Sequence, residues 1–140
     1  MLLCIACYDS RDIKEDIKQE ITSFSNYYFN YEYKNAIDYV TPDSRKWIIY
    51  VASNLSDDDI EVLNTKTAPA VTEITDLTYN EYDSTGIVVV AVKNYMAFDS
   101  IGVTGHIADE QIYRIPFVRY ENRWKIKMEA PLRNEKSDRD

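Results

Sequence analysis

The stretch NYYFNYEYKNAIDYVTPD, residues 26–43, decides the fold. Its first residues end a helical pattern, a break follows near residues 30–33, and a short amphipathic segment covers residues 34–40. The Thr-Pro-Asp at residues 41–43 is typical of a helix start. Thr can cap the helix, Pro needs no N–H at the first position, and Asp suits the positive end of the helix dipole. The stretch therefore predicts a long helix, a short turn of helix and the start of another helix.

Apolar spacing extends the long helix back to Asp12 and continues the helices on the other side. Apolar side chains recur every three or four residues, which predicts one stripe of them on the core side of the first helix. The members of that stripe are Ile13, Ile17, Ile21, Phe24 and Tyr28. Further along, Trp47 and Ile48 belong to the helix opened by the Thr-Pro-Asp, and Ser56, followed by three aspartates, starts a last short helix.

After Pro69 the pattern changes to that of strands and turns. The predicted strands cover residues 71–82, 85–95, 111–120 and 123–128. The predicted turns are Asp83–Gly86 and Glu121-Asn122, and residues 96–110 are interpreted as a long irregular loop or a bulged strand edge. Helices followed by an antiparallel strand meander indicate an α+β domain.

The closing hairpin, VRYENRWKI at residues 118–126, and the stretch at residues 26–43 together resemble the NTF2-like, cystatin-like fold. The resemblance covers residues 10–129. It implies a curved antiparallel sheet of four or more strands wrapped on the first helix, with a cone-shaped cavity between them. In particular, the chain is similar to small NTF2-like lipoproteins of Bacteroides-type bacteria, which implies a cell-envelope address but no reaction. Residues 130–140, which have six charges among the last eight, are predicted to be a disordered tail.

The amino terminus carries a second resemblance. Ile5-Ala6-Cys7 is similar to the last three positions of a bacterial lipobox, which implies that Cys7 is lipidated. Residues 1–9 are then the remnant of a signal plus a tether, and the membrane is contacted only through a lipid anchor. The alternative is an ordinary apolar amino terminus, with a cytoplasmic address if no signal precedes it.

Charge argues against one class of partner and favours another. The chain of 140 residues has the size of one domain. Its 16 basic and 24 acidic residues give a net charge of −8, which argues against nucleic acid as a partner. Residues 57–83 contain eight acids and one lysine, whereas residues 114–127 contain five bases and one acid. If the strands lie in chain order, these segments mark opposite edges of the sheet and would orient self-association or a partner protein.

Few residues suit catalysis or a cofactor. Glycines occur at positions 86, 102 and 105, which excludes G-x-G-x-x-G and P-loop motifs, and neither a cofactor nor a metal site is predicted. His106 is the single histidine, and Asp99 and Asp109 lie near it in the sequence. NTF2-like enzymes often place a His and an Asp in the cone as acid–base partners. These three residues are therefore the candidates for the alternative function, an isomerase or dehydratase, and a surface histidine is the simpler interpretation.

Aromatic side chains are the other candidates for a site. They could line a pocket between helices and sheet that takes a small apolar ligand, or they could fill the core. The pocket candidates are Tyr27, Tyr28, Tyr31, Trp47, Tyr50, Phe117 and Trp124. The leading prediction is a non-enzymatic envelope lipoprotein that binds a partner protein or a small ligand through the cone or the sheet face, with a homodimer through that face as one form.

Overall fold

In the part of the chain that the structure describes, the protein is an α+β domain in which four helices pack on an open, four-stranded antiparallel sheet. The computed structural model describes residues 10–97 and 105–135, so Cys7 and Asp99 lie outside the described residues. The helices are α1 Ser10–Phe29, α2 Tyr33–Ala36, α3 Arg45–Ser53 and α4 Asp57–Asn64, with 3₁₀ turns at Ile37–Tyr39 and Pro42–Ser44. The strands are β1 Val71–Asn80, β2 Thr85–Ala97, β3 His106–Tyr120 and β4 Arg123–Ile126. The predicted α+β class is confirmed.

Helix α1 supplies the centre of the core, as its apolar stripe predicts. Ile17, Ile21 and Phe24 are fully buried, Tyr28 is nearly so, and Ile13 packs at the margin of the core. Alternate residues of the sheet meet this stripe, because successive side chains of a strand point to opposite faces. The main sheet residues of the core are Val88, Val90, Val92, Ile115, Phe117, Trp124 and Ile126. We call this side of the sheet the inner face.

The four strands lie side by side in chain order, β1-β2-β3-β4, so the predicted meander is confirmed. The middle strands are longer than predicted: β2 continues to Ala97 and β3 already begins at His106. Residues 96–110 were expected to be a loop or bulged edge because their polar residues hide the strand pattern. In the structure Met96 pairs with Ile107, so the ends of this segment belong to the central pair of strands.

The two turns of the meander differ in how well the sequence predicts them. Glu121 and Asn122 have φ values of 48° and 66°, which is the backbone of a type I′ hairpin turn at the predicted place. Gly86, predicted to be a turn residue, lies in β2 instead. A Cβ at Gly86 would collide with the Thr78 carbonyl and the Phe117 ring. The glycine is therefore explained by the close approach of a core aromatic, not by a turn.

The predicted disordered tail begins too early, because residues 130–135 contact the sheet. Strand β4 is short and leaves the first part of β3 without a strand partner on that side. In an uninterrupted register Tyr113 would face Ala130, but its bridge partner is Asn134. The Asn134 side chain also accepts a hydrogen bond of 3.3 Å from the Ile112 N–H, which would otherwise lose its partner. Residues 136–140 lie outside the described residues.

The Thr-Pro-Asp segment opens a helix as predicted, but Thr41 does not cap it through its side chain. Its hydroxyl lies 2.6 Å from the buried hydroxyl of Ser44. The Ser44 hydroxyl in turn accepts a 2.7 Å hydrogen bond from the Met128 N–H. The Thr41 N–H donates to the Ile126 carbonyl at 3.0 Å, so this segment is fastened along the outer edge of β4.

Candidate functional site

The seven pocket candidates do not line one pocket. Tyr28 and Tyr31 belong to a cluster at the carboxyl end of α1, whereas Phe117 and Trp124 contact each other elsewhere in the core, with ring centroids 5.7 Å apart. The remaining three lie nearer the surface. Tyr27 contacts Tyr39, and Trp47 contacts Tyr50, which is 37% exposed.

The cluster at the end of α1 is built from five tyrosines of different elements. We call this group the tyrosine cluster: Tyr28 of α1, Tyr31 and Tyr33 around the start of α2, Tyr95 of β2 and Tyr113 of β3. The rings touch, with centroid distances of 5.5 Å for Tyr28 and Tyr33 and 5.7 Å for Tyr31 and Tyr95. Sequence reasoning missed Tyr33, Tyr95 and Tyr113 as site residues. The signal for Tyr113 was available, because it alternates with the core residues Ile115 and Phe117.

The rings of the tyrosine cluster pack against one another in the core. Two grooves of about 200 and 300 Å³ lie at the surface, one beside Arg114 and Lys127 and the other between Tyr79 and Ile87. Neither groove is lined by a member of the tyrosine cluster.

The hydroxyls of the cluster are donors rather than bases. Burial raises the pKa of all five phenols well above the usual range, and for Tyr31 the hydrogen bonding with Met96 partly opposes that rise. The Tyr31 hydroxyl donates to the Met96 carbonyl at 3.2 Å and accepts from the Met96 N–H at 3.1 Å. The Tyr33 hydroxyl is buried and has no hydrogen-bond partner among the residues that the structure describes.

Asp59 is a buried carboxylate with a defined role. It accepts hydrogen bonds from the Ser56 N–H at 2.8 Å and from the Gly105 N–H at 2.9 Å, while the Ser56 hydroxyl accepts from the Asp59 N–H. Burial alone would raise the pKa of Asp59, but these hydrogen bonds outweigh it and hold the pKa below the usual value. The three aspartates after Ser56 predicted only the start of a helix. The Ser-x-x-Asp spacing of a capping box was the missed signal for Asp59.

The structure does not bring the acid–base candidates together on one face. His106 is exposed at the start of β3, where it pairs with Ala97. Asp109 is exposed three residues further along the same strand, a spacing that points the two side chains to opposite faces. Asp99 lies outside the described residues. Within residues 10–97 and 105–135, no group of three or more His, Cys, Asp or Glu side chains could hold a metal ion.

The side of the sheet away from the core, which we call the outer face, carries apolar residues in its middle. At one end of the outer face the register aligns Val71, Lys93 and Glu110, and in the middle of the face it aligns three rows across β1, β2 and β3. The rows are Glu73–Ala91–Ile112, Asp76–Val89–Arg114 and Thr78–Ile87–Pro116. Lys127 extends the last row, since its N–H donates to the Pro116 carbonyl at 2.9 Å. Each of these rows is therefore apolar on β2. An acid stands on β1 in the first two rows, and a base stands on the opposite side in the second row, at Arg114, and in the third, at Lys127.

Comparisons with known proteins give a fold and no function. No family profile matches the chain, and none of the curated proteins matches it. Among solved structures, the chain is similar to a point variant of Rv3472, a protein of unknown function from Mycobacterium tuberculosis. The TM-score is 0.52 at 14% identity, over 92% of this chain and 78% of that one. In the described part of the chain, no helix has the length and apolar character needed to cross a membrane.

Proposed function

We propose that the protein is a non-enzymatic binding protein of the NTF2-like type that acts through the outer face of its sheet. The observation that carries the proposal is the apolar middle of that face, which lies outside the core cluster between the helices and the sheet. The matching partner is a folded protein surface with an apolar centre between a basic side and an acidic side.

The residues of the apolar middle are neighbours across β2 and β3, so they form one patch on the outer face. We call it the apolar strip: Ile87, Val89, Ala91, Ile112, Pro116 and Val118. None of these side chains is in the core cluster of the described residues or packed against it, although Ala91 is only 5% exposed. A contiguous apolar patch on a soluble domain favours an interaction site.

The NTF2-like assignment rests on the arrangement of the elements. A long first helix against an open antiparallel meander, a short second helix and the closing hairpin all occur in the order that the resemblance implies. We propose a filled version of that fold, because the tyrosine cluster occupies the space of the cone. The isomerase or dehydratase alternative is less well supported, because His106 and Asp109 point away from each other.

The proposed localisation is the cell envelope, where a lipid on Cys7 would anchor the protein. The support is the Ile-Ala-Cys at residues 5–7. The test is to express the chain with its upstream in-frame sequence and weigh the mature protein. We expect cleavage before Cys7 and the added mass of a lipid, both abolished in Cys7→Ser. A product that keeps residues 1–6 without lipid would contradict the proposed address.

Photo-crosslinking tests the outer face directly. A photoreactive amino acid replaces Val89 in the apolar strip or, as a control, Glu61, which is exposed on α4. In the cells that naturally make the protein, we expect an adduct of defined mass from position 89 and none from position 61. Equal labelling at both positions, or none at position 89, would rule out the outer face as the binding surface.

The unpartnered hydroxyl of Tyr33 favours a second candidate function, binding of a small ligand at the tyrosine cluster, for which the packed rings would have to move apart. A buried hydroxyl without a partner costs about 1–3 kcal/mol, which a ligand oxygen that accepts its hydrogen bond would offset. Small aromatic ketones and alcohols are suitable probes in a thermal-shift assay. We expect a rise in Tm for the wild type that Tyr33→Phe abolishes, and no rise in the wild type would exclude this candidate.

A further inference from the structure

We propose that the free edge of β3 binds an extended segment of a partner protein, which adds to the sheet as a further strand antiparallel to β3. In the free protein, residues 130–135 cover part of this edge, and we call them the strap. The partner segment displaces the strap when it binds. This edge is distinct from the outer face, so the proposal does not rest on the proposed function.

The free edge of β3 presents the backbone groups of its even-numbered residues. The Pro116 carbonyl accepts a hydrogen bond of 2.9 Å from the Lys127 N–H on this side of the strand. The Ile112 N–H points the same way and donates to the Asn134 side chain at 3.3 Å. In the described part of the chain, no strand or β-bridge pairs with residues 107–111 on this side. A row of such backbone groups is a template to which another strand can add.

The strap covers the edge through contacts that a partner strand could replace. Asn134 meets the Ile112 N–H with its side chain, in the place where a strand would offer a backbone carbonyl. Glu135 lies 3.6 Å from Arg114, but both side chains are substantially exposed, and an ion pair of this kind contributes little. Leu132 is only partly buried where it packs against the core. The strap therefore imitates a strand without the full set of contacts of one.

The path of the strap along β3 is also irregular. An uninterrupted register would place Ala130 opposite Tyr113, where the strap has Asn134. The extra residues form a detour beside the groove of about 200 Å³, which residues 129–133 line together with Arg114. A continuous strand follows its neighbour without a detour, so it can pair with more of the edge than the strap does.

The register of the strap places two bases opposite each other. Because Asn134 lies opposite Tyr113, the preceding residue, Arg133, comes opposite Arg114. Like charges directly opposite each other in a sheet are destabilising, whereas an acid opposite a base is stabilising. Lys127 is a further exposed base on the same face of the sheet. The edge therefore favours a partner strand that has an acid opposite Arg114.

The residues next to Arg114 define the rest of the partner segment. On the outer face, Ile112 and then Glu110 follow Arg114 as alternate residues of β3, so an apolar residue and then a base would match them. On the inner face, a residue opposite Tyr113 meets the core, so an apolar residue fits there. In an antiparallel strand this gives the order acid, apolar, apolar, any residue, base.

Titration of the full chain with a peptide of this pattern, followed by NMR, tests the proposal. The peptide is acetyl-Thr-Asp-Val-Val-Thr-Lys-Thr-amide, in which the Asp matches Arg114 and the Lys matches Glu110. We expect the amide signals of residues 107–114 to shift as the peptide binds. The signals of the strap should move at the same peptide concentrations to positions typical of an unfolded chain, because the strap leaves the edge.

Modified peptides test the backbone pairing and the register. N-methylation of the second valine removes the N–H that points to the carbonyl of Ile112 and should abolish binding. N-methylation of the next threonine removes an N–H that points away from β3 and should change the affinity by less than about twofold. A peptide in which Asp and Lys are exchanged places like charges opposite Arg114 and Glu110, so it should bind about two- to tenfold more weakly.

Weakening the strap should strengthen the binding of the peptide. Asn134→Ala removes the acceptor for the Ile112 N–H. Loss of one competing hydrogen bond should make the peptide bind about two- to tenfold more tightly. Asn54→Ala is the matched control, because Asn54 lies at the end of α3 and donates to the Tyr50 carbonyl, away from this edge. It should leave the affinity for the peptide as in the wild type.

Three outcomes of the titration would overturn the proposal. They are unshifted signals of residues 107–114 in both the wild type and Asn134→Ala at about 1 mM peptide, equal binding of the two N-methylated peptides, or an affinity that Asn134→Ala does not change. Exchange of straps between two copies, seen as a dimer by light scattering, would make a second copy the occupant and would also overturn it. Photo-crosslinking at position 89 reports on the outer face, so either proposal can fail while the other survives.

Discussion

The two faces of the sheet have similar residues but different surroundings. On β2, Val88, Val90 and Val92 on the inner face are fully buried in the core, whereas Ile87 and Val89 on the outer face are only partly buried. Both sets are β-branched and would score alike by propensity. The difference shows that an apolar run on a central strand does not by itself say that both faces are covered. The uncovered face is the one that carries the charge pattern.

The largest expected change in the free energy of unfolding comes from a comparison of two neighbouring residues on β3. Phe117 is buried on the inner face and contacts Trp124, while Val118 lies on the outer face. Phe117→Ala should lower the free energy of unfolding by about 3–5 kcal/mol, because it leaves a cavity in the core. Val118→Ala should cost less than about 1 kcal/mol. Urea unfolding at low protein concentration measures both, and similar costs would mean that the outer face is also part of a core.

A second pair of neighbours replaces the same residue type by the same polar residue. Val90→Thr puts a hydroxyl among apolar side chains on the inner face and should cost about 1–3 kcal/mol. Val89→Thr on the outer face should change the stability of the monomer by less than about 0.5 kcal/mol, because the hydroxyl can reach water. The same substitution should nevertheless weaken the binding of a partner at the outer face. A loss of monomer stability at position 89 equal to that at position 90 would break the distinction between the faces.

Local patterns in the sequence predict the inner face well and the outer face poorly. The α1 stripe follows from a period of 3.6 residues, and Glu121-Asn122 is a turn signal that acts within a few residues. The alignment of Asp76 with Val89 and Arg114 depends on the bulge in β1 and on the β2–β3 register, which no local pattern specifies. Strand order alone was enough to place the acids of β1 and the bases of β4 at opposite edges, but four of the eight acids in residues 57–83 lie on α4.

Contacts between distant segments account for the other differences. The tyrosine cluster gathers rings from α1, α2, β2 and β3, so its members are near each other only after folding. Asn134 completes a strand edge more than twenty positions away from Ile112, and its highly charged neighbours predict a solvated tail. The bond from Gly105 to Asp59 likewise joins the start of β3 to α4. Each of these contacts joins groups that come within reach of each other only once the sheet has formed.

The buried carboxylate of Asp59 predicts that the stability of the protein depends on pH. Hydrogen bonds hold its pKa below the usual value in the folded protein, so the carboxylate stabilises the fold above the unfolded-state pKa of about 3.9. This contribution is lost as the pH falls through the lower, folded-state pKa. Asp59→Asn should cost about 1.5–3 kcal/mol near neutral pH, and the cost should shrink in acid.

Denaturant unfolding of the wild type and Asp59→Asn across that pH range measures the effect. Asp58→Asn is the matched control, because Asp58 is an exposed neighbour in the same first turn of α4. It should cost only the few tenths of a kcal/mol expected for a charge near a helix start. A cost for Asp59→Asn that is independent of pH would mean that the ionised carboxylate is not what stabilises the contact with Gly105.

The smallest expected change in stability comes from removing the hydroxyl of either of two tyrosines in the tyrosine cluster. The change should have opposite signs for the two residues. Tyr33→Phe removes a buried hydroxyl that has no partner, so stability should rise by about 1 kcal/mol. Tyr31→Phe removes a hydroxyl that is hydrogen-bonded to both backbone groups of Met96, so stability should fall by about 1 kcal/mol or more. Thermal unfolding of the two variants gives the comparison. If Tyr33→Phe is also destabilising, its hydroxyl has a partner in solution, and a bound water or ligand at the cluster becomes the explanation to pursue. The inner side of the sheet would then also bind a molecule, and binding would no longer distinguish the outer face from the inner face.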